Sequence, residues 1–419
     1  MSADRLRELL EKRAAGQWEI YRKKGHSHER NASPRFRTDI VRNEEGWAAR
    51  WFERDALFFA SAASADGLVE AIPQLARFAP AASPRWNWPS SRAQAMKAVA
   101  EHPLEAPPDL FEELARLLAS ESRGEAALKQ LSLRRGRTWE RIENASGLEV
   151  EISSERLDGV AFGAGRRAGE SSEARVLFRW DAAPDLVPVA RRLCDRVTLP
   201  LSLRATPAHR GEWLLEPAVA ASLLAAIAPI FAMARPPRWI QPSRFCAETI
   251  TISDDATADA PFDGEGTPTR RVILVENGQL GGRLRDLDAS AKGGGTSTGH
   301  GVRPSYRVPP SVAPRRLVLE TQRATAPLEL LSSVKRGLFA SALTAPIRVD
   351  LDADRYEVEF TGVSIVAGRA QGPVAGARAR GRLSRLLQGV IGSASDLQFA
   401  PMPYPVGTGT LLVGHAQFD

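Results

Sequence analysis

Cysteine is scarce in this sequence: Cys194 and Cys246 are the only two among 419 residues. Two cysteines cannot form a disulfide framework, and the absence of a Cys-x-x-Cys pair excludes zinc ribbons and thioredoxin-like redox sites. Long apolar runs are also missing, because a glutamate and two prolines interrupt the most apolar stretch, residues 214–234. A membrane span needs about 18 consecutive apolar residues. Since the charged N-terminus also lacks an apolar signal core, we expect a cytoplasmic protein.

Histidine is nearly as scarce, and none of the six forms a His-Glu-x-x-His segment. In such a segment two imidazoles one helical turn apart bind zinc beside a general base. His26 and His28 share one face of a predicted strand, but no third ligand accompanies them, so a surface strand is favoured over a metal site. The phosphate-binding GxxxxGK[ST] loop and the Gly-x-Ser-x-Gly elbow of α/β-hydrolases are absent as well.

The charge balance is basic, with a net charge of +6 and a pI near 9.6. Most of the positive charges are arginines, and they are scattered among acids along the whole chain. No basic cluster is interleaved with aromatic residues, as a protein that binds single-stranded nucleic acid would require. We therefore expect an arginine-rich solvated surface, and nucleic-acid binding is the minor alternative.

The order of the predicted elements indicates an α+β fold with two domains. We predict an N-terminal domain with α/β layers over residues 1–195 and a strand-rich C-terminal domain with a few helices over residues 196–419. A proline-rich connector, residues 80–92, interrupts the first domain.

Apolar periodicity gives the elements of the N-terminal domain. It predicts a helix over residues 3–15 and strands on both sides of a break at residues 43–46. A helix follows with Ser64 or Asp66 as its N-cap. The next helix runs from Pro108 to about Ser120, and a second helix is a further possibility directly after it.

The C-terminal domain begins with a helix over residues 217–231 that is apolar nearly all round, and it should therefore be buried. From about Ala247 onward the pattern is strand-rich with glycine turns. One helix is predicted within residues 379–392. Residues 290–301, SAKGGGTSTGHG, are predicted to be a flexible glycine loop.

Acids, glycines and a short apolar run occur together in residues 261–286, PFDGEGTPTRRVILVENGQLGGRLRD. Their spacing does not fit an EF-hand, which needs ligands at positions 1, 3, 5 and 12. Asn277-Gly278 between two apolar runs predicts a β-hairpin with a type I′ turn. The preceding DGEGTP is predicted to be a turn, in which Asp263 and Glu265 would be solvated.

The longer block FDGEGTPTRRVILVENGQLGGRLRDLDASAKGGGTSTGHGVR, residues 262–303, resembles the TldD/PmbA family, the "modulator of DNA gyrase" proteins associated with peptidase activity. The residues that match the family are Asp263, Glu265, Gly266, Pro268, Gly278, Leu280, Asp286, Ala289 and Ser297-Thr298-Gly299. We take as signature residues of a possible peptide chamber Asp263, Glu265, Gly266, Asn277, Gly278, Ser297, Thr298 and Gly299. Two earlier segments are also similar to the family: residues 43–62, with a Gly-x-x-x-Arg step, and residues 143–151, where Ala145 departs from the pattern. Residues 366–413 resemble the family's closing pattern, with Thr410 in place of a proline.

One branch of this family carries zinc on a His-Glu-x-x-x-His helix at the start of the C-terminal domain, together with a later cysteine. Residues 217–231 occupy that place here and contain no histidine, glutamate or cysteine, and no cysteine follows Cys246. Alanine and leucine cannot ligate zinc. The resemblance therefore implies the PmbA/TldE branch: no catalytic residues, metal ligands or cofactor in this chain, and zinc in a partner subunit.

The resemblance further implies a TldD-like catalytic partner in a heterodimer, or a homodimer, and unfolded peptides as substrate. Two other functions remain open from the sequence. The chain could be a peptidase in its own right, using residues not recognised here, or a protein that binds DNA or modulates gyrase.

Overall fold

The computed structural model of the protein describes residues 2–14, 16–75, 83–90, 92–96, 110–180, 185–202, 210–258, 260–401 and 404–418. Most of the connector predicted at residues 80–92 is described, as irregular chain over residues 83–90. Within the described residues, no helix combines the length and apolarity that a membrane span requires.

Seven strands form the N-terminal sheet in the order β3-β2-β1-β5-β6-β4, and β7 also pairs with β6. All neighbours are antiparallel except β4 and β6. The strands are β1 (Trp18–Ala32), β2 (Arg37–Glu53), β3 (Ala56–Ala62), β4 (Arg92–Met96), β5 (Ala126–Asn144), β6 (Glu149–Arg167) and β7 (Glu170–Trp180).

Four helices pack on one face of this sheet: α1 (Ser2–Ala14), α2 (Ala65–Leu75), α3 (Leu110–Glu121) and α4 (Val187–Thr198). The first two cover β1–β3, and the last two cover β5–β7. The helix predicted at residues 3–15 is confirmed. Ser64 is the N-cap of α2, since its Oγ accepts a hydrogen bond from Gly67 N at 3.1 Å.

Two N-terminal predictions are wrong. The break at residues 43–46 does not exist, because β2 runs without interruption from Arg37 to Glu53 and turns only at Arg54 and Asp55, which have positive φ. Gly46 lies inside the strand, and glycine at this position leaves room for the Tyr306 ring. A Cβ on Gly46 would come within 2.3 Å of that ring. The possible second helix after Ser120 is instead the beginning of β5.

The C-terminal domain contains an eight-stranded sheet, a six-stranded sheet and a two-stranded ribbon. In the eight-stranded sheet the order is β15-β20-β23-β8-β16-β18-β17, with β19 paired to β18; in the six-stranded sheet it is β11-β10-β9-β14-β22-β21, and β12 pairs with β13. The strands are β8 (Arg210–Leu215), β9 (Ile250–Asp255), β10 (Arg271–Glu276), β11 (Gln279–Leu280), β12 (Gly301–Val302), β13 (Ser311–Val312), β14 (Leu317–Thr321), β15 (Ala324–Thr325), β16 (Arg336–Leu343), β17 (Arg348–Asp350), β18 (Arg355–Val366), β19 (Arg369–Arg382), β20 (Val390–Ala394), β21 (Gln398–Pro401), β22 (Pro405–Thr408) and β23 (Leu411–Gln417).

The helices of this domain are α5 (Pro217–Ile227), α6 (Leu287–Gly293), α7 (Pro327–Ser333) and α8 (Leu383–Gln388). The helix predicted within residues 379–392 is therefore much shorter, because β19 continues to Arg382. α5 begins at Pro217, and Glu216 caps it by accepting a hydrogen bond from Ala218 N at 2.8 Å. Both sheets pack their apolar faces against this helix in one large core. The buried helix and the α+β class with a strand-rich C-terminal domain are confirmed.

Candidate functional site

The predicted signature turn is organised by Asp263, whose side chain is fully buried. Its Oδ1 accepts hydrogen bonds from the backbone N–H groups of Glu265 and Thr267, both at 2.9 Å. Its Oδ2 accepts one from Gly301 N at 2.8 Å. Asp263 therefore closes its own turn and ties that turn to the end of the glycine loop.

Glu265 lies in a network of four buried charges that joins the two domains; we call Glu19, Arg50, Glu265 and Arg303 the interface network. Glu265 Oε1 accepts a hydrogen bond from Arg50 Nη1 at 2.7 Å, and its Oε2 accepts one from Leu287 N at 2.8 Å. Arg50 also donates to Glu19 through Nε at 3.1 Å and Nη2 at 2.8 Å. Arg303 Nη2 donates to the same Glu19. Glu19 and Arg50 belong to the N-terminal sheet, whereas Glu265 and Arg303 belong to the C-terminal domain.

The prediction that Asp263 and Glu265 are solvated is therefore wrong. Each has an exposed fraction of 0%. A buried carboxylate is costly unless donors and opposite charges surround it, and here backbone N–H groups and Arg50 supply them. The partners were missed because they lie far away along the chain, although Arg50 is the arginine of the Gly-x-x-x-Arg step in residues 43–62.

The surroundings shift the pKa values of the two glutamates of the interface network in opposite directions. Burial raises the pKa of Glu265 to about 8; nearby Arg50 opposes this shift, and Asp263 and Asp286 add to it. Burial would also raise the pKa of Glu19, but Arg303 and Arg50 together hold it below its usual range. One glutamate is thus held as a carboxylate, while the other takes up a proton readily.

The glycine loop is hydrogen-bonded to the segment before α6 through Ser297 and Thr298, and Gly299 packs against Pro268. Ser297 Oγ donates to Arg285 O at 3.2 Å, and Thr298 Oγ1 accepts a hydrogen bond from Arg285 N at 2.8 Å. Gly299 has φ +73°, and a Cβ there would lie 2.5 Å from Pro268 O. The prediction of a flexible loop over residues 290–301 is wrong at both ends, because the chain is helical up to Gly293 and hydrogen-bonded from Ser297 onward.

Behind this loop lies a buried imidazole–carboxylate pair that the sequence reasoning missed. His300 Nε2 is 3.0 Å from Asp254 Oδ1, and His300 Nδ1 is 3.0 Å from Thr298 Oγ1. The three residue types are those of a hydroxyl–imidazole–carboxylate triad. His300 Nδ1 is nearer, at 2.9 Å, to the backbone oxygen of Thr298 than to its hydroxyl. However, the Thr298 hydroxyl also bonds Arg285 O, at 3.1 Å, and His300 is fully buried. The arrangement holds the loop in place, and the Thr298 hydroxyl bonds both Arg285 and His300.

The hairpin predicted at Asn277 and Gly278 is confirmed. These residues have φ of 49° and 77°, as a type I′ turn requires, and they join β10 to β11. Gly278 O accepts hydrogen bonds from Phe245 N at 2.9 Å and Cys246 N at 3.2 Å. Asn277 Oδ1 accepts one from Gln322 Nε2 at 3.0 Å. The hairpin thus anchors the segment around Cys246.

Three of the four segments that resemble the family, residues 43–62, 143–151 and 262–303, meet at the domain interface. Arg50 of the first contacts Glu265, and Gly266 packs against Leu148 of the second, where a Cβ on Gly266 would lie 2.2 Å from Leu148 Cδ2. Of the predicted signature residues, Glu265 and Gly266 therefore contact the N-terminal domain directly. Asp263, Glu265, Gly266, Gly278, Ser297 and Gly299 are buried, Thr298 is partly buried, and Asn277 is exposed.

A trough of 990 Å³ lies beside this interface, on the sheet face opposite the four helices. Its floor contains Gly25 of β1 and Gly136 of β5, and exposed Arg134 and Arg156 flank the floor. Residues 304–307 of the C-terminal domain form one wall, held in place by Lys23 Nζ, which donates to Pro304 O at 3.0 Å. None of the predicted signature residues lines this trough.

Metal ligation finds no support in the part of the chain that is described, where no group of three or more His, Cys, Asp or Glu side chains could hold an ion. His26 and His28 lie on the strand surface, bonded to Asn43 Oδ1 and Asp39 Oδ1, each at 2.7 Å. Cys246 is buried, and burial raises the pKa of its thiol to about 12. A thiol of this kind is a poor metal ligand, because the thiolate is the form that binds.

Comparison with known proteins agrees with this fold. Residues 212–419 match the family profile of the PmbA/TldA metallopeptidase C-terminal domain. A 78-residue stretch is 42% identical to part of an uncharacterised protein of Methanocaldococcus jannaschii. This match covers 17% of this chain and 18% of that protein's length.

Solved structures match over the whole chain. The structure of TldE from Thermococcus kodakarensis has a TM-score of 0.86 and 18% identity, and the alignment covers 100% of both chains. A candidate DNA gyrase modulator from Thermotoga maritima has a TM-score of 0.84 and 14% identity, over 100% of this chain and 99% of the other. A second candidate modulator, from Bacteroides thetaiotaomicron, has a TM-score of 0.76 and 15% identity, over 100% and 98%. The profile match over residues 212–419 shows that the chain belongs to the TldD/PmbA family, and the solved structures show that it shares their fold.

Proposed function

We propose that this chain is the non-catalytic, TldE-like subunit of a cytoplasmic peptidase complex, and that a TldD-like partner with zinc on a His-Glu-x-x-x-His helix cleaves unfolded peptides. The observation that carries the proposal is the composition of α5 and the segment after it, residues 217–231. This helix opens the family domain and offers only apolar, serine and proline side chains. Because none of these ligates zinc, hydrolysis through that helix must come from another chain.

The position of α5 supports the same conclusion. Most of the helix is buried, and the side chains of Ala221 and Leu224 contact the core between the two sheets with 0% and 2% exposed. A catalytic zinc keeps one open coordination position for water or substrate. Here packed alkyl groups take up that space.

The trough supports a role in holding the substrate. It is open to solvent, most of its lining residues are polar or charged, and glycines on its floor allow a backbone to approach the sheet closely. Exposed arginines beside it can donate to the carbonyl and carboxylate groups of an unfolded peptide. We propose that this surface of the non-catalytic subunit lines the chamber in which the partner cleaves.

Co-expression with a TldD-like chain that carries His-Glu-x-x-x-His tests the proposal. We expect a stable complex with one copy of each chain and with zinc bound only when the partner's histidines are intact. Failure of the two chains to associate at micromolar concentration, while this chain forms homodimers that hydrolyse peptides, would support the stand-alone peptidase instead. Salt-dependent binding of duplex DNA by the lone chain would support the DNA-binding alternative.

A further inference from the structure

Two arginines lie side by side where the glycine loop meets the segment before α6. Arg283 and Arg285 are two residues apart in the segment before α6, and they lie near enough for the charge of Arg285 to act on Arg283. The glycines of residues 293–295 pass directly beside them. A Cβ on Gly295 would lie 2.1 Å from Arg285 Nη1, and a Cβ on Gly293 would lie 3.7 Å from Arg283 Nη1. A side chain at position 295 would therefore displace the Arg285 guanidinium.

Neither guanidinium has an acidic partner within the described residues. Arg283 reaches only the backbone carbonyls of Ala234 and Ala232, each at a long 3.4 Å. The Nε atoms of both arginines are buried without a hydrogen-bond acceptor. Burial, and then the charge of Arg285, lower the pKa of Arg283. Both side chains are partly buried. Two neighbouring guanidiniums without a carboxylate repel each other, so a carboxylate ligand between them is favoured.

The arginine pair also lies close to the helix that opens the family domain. Leu284, between the two arginines, donates its N–H to Phe231 O at 2.9 Å. Phe231 belongs to the turn that directly follows α5. On the open side of the pair, residues 293–296 are exposed, so a ligand can approach from solvent.

We propose that Arg283 and Arg285 form a carboxylate-binding site for the peptide substrate, and this inference rests on the proposed function for the nature of the ligand. A guanidinium presents up to five N–H donors in a planar fork that matches the two oxygens of a carboxylate. Two forks side by side hold one carboxylate from both sides. The carboxylate comes either from the peptide C-terminus or from an aspartate or glutamate side chain.

Binding of synthetic unstructured peptides to the full chain tests the site and its source. Three peptides of the same length are needed: one with a free C-terminus and no acidic residue, its C-terminal amide, and an amide with one internal glutamate. We expect Arg285→Gln to weaken binding of at least one carboxylate peptide about tenfold or more, because charge-assisted hydrogen bonds are lost. The amide without an acid should bind weakly to every variant. If Arg285→Gln weakens binding of only the peptide with the free C-terminus, the site binds a terminal carboxylate. If it weakens binding of only the glutamate peptide, the site binds a side-chain carboxylate.

Two glycine variants separate the site from general loop damage. Gly294 has φ +70° and open space around its Cβ position, whereas Gly295 has φ +95° and faces Arg285. Both alanine variants strain the backbone, but only Gly295→Ala displaces the guanidinium. We expect Gly295→Ala to weaken carboxylate binding as Arg285→Gln does, and Gly294→Ala to bind nearly as the unchanged chain does.

Equal binding of the three peptides, or unchanged binding by Arg285→Gln in a folded chain, would overturn the inference. Its failure is distinguishable from failure of the proposed function. If the chain does not assemble with a TldD-like partner yet binds carboxylate peptides through Arg285, the proposed function fails and the site stands. If the complex assembles and Arg285→Gln binds every peptide normally, the carboxylate site fails and the proposed function stands.

Discussion

Strand β1 presents one face to two different surroundings. Near its start this face carries Glu19, which lies under the C-terminal domain with 1% exposed and bonds Arg50 and Arg303. Further along, the same face carries Gly25 and Ser27, which lie on the open floor of the trough. One polar strand face therefore serves as an internal charged interface at one end and as an open groove at the other. Coverage by the second domain, rather than residue type, separates the two.

This difference has energetic consequences. In the interface network water is excluded, so each charge depends on the partners that the chain supplies, and losing one leaves another uncompensated. In the trough the charges are solvated and screened, so single losses should affect stability little. Variants in the two regions should therefore differ sharply in stability.

Arg50→Met should have the largest effect. It leaves Glu19 and Glu265 buried without their shared cation, and breaking a buried ion pair costs about 3–5 kcal/mol. Denaturant unfolding of the full chain measures the loss. Arg42→Met, on the same strand but exposed, is the matched control. Equal stability of the two variants would abolish the distinction between the regions.

Asp263→Asn should have the next largest effect. The aspartate accepts three backbone N–H bonds through its two oxygens, and an amide offers only one oxygen, so at least one buried N–H loses its acceptor. An unsatisfied buried donor costs about 1–3 kcal/mol. We expect a loss of about 2 kcal/mol in the free energy of unfolding. A loss below about 0.5 kcal/mol would show that the turn does not depend on this carboxylate.

Glu265→Gln should change the pH dependence of stability. The pKa of Glu265 is raised to about 8 in the folded chain from an ordinary value of 4.5, mainly by burial. A carboxyl whose folded pKa is raised stabilises the fold fully at low pH, and this contribution is lost as the pH rises through the folded pKa. We expect stability to fall between about pH 5 and pH 8, and the glutamine variant to show a smaller slope.

The matched comparison is Glu29→Gln in the trough, where a hydrogen bond from Arg42 lowers the pKa of Glu29. That variant should leave the slope above pH 5 unchanged. Identical slopes in the Glu265→Gln variant and the unchanged chain would contradict the assignment of the raised pKa to Glu265.

Arg42→Met should have the smallest effect on stability. Arg42 Nη1 lies 2.8 Å from Glu29 Oε2 in a pair that remains well exposed. Exposed pairs contribute about 0–1 kcal/mol. We expect a change within about 0.5 kcal/mol in the unfolding measurement used for Arg50→Met. A loss of several kcal/mol would mean that the trough is part of the folded core.

Local features were predictable from the sequence. Asn277-Gly278 specifies its turn through its own backbone preferences, and Pro217 begins α5 with its fixed φ. The apolar composition of α5 likewise predicted its burial. These signals need no information from elsewhere in the chain.

Non-local features were not predictable from the same patterns. Asp263 and Glu265 occur among glycines in a segment that looks like an exposed turn. Asp263 is satisfied in part by Gly301 N, and Glu265 by Arg50, which is 215 residues away in sequence. Gly46 looks like a turn residue, but it is a strand residue on which Tyr306 packs. In both places tertiary packing overrides local preference. The family resemblance named Arg50 and Glu265 but could not show that they meet.

The non-catalytic role of this chain is tested most simply by measuring peptide turnover. Three preparations are compared: this chain alone, a TldD-like chain alone, and the two together. Each is assayed on an unstructured peptide with and without a zinc chelator. We expect no turnover by this chain alone, and turnover by the pair that exceeds that of the partner alone and disappears with chelator. Robust turnover by this chain alone that survives the chelator would contradict this expectation.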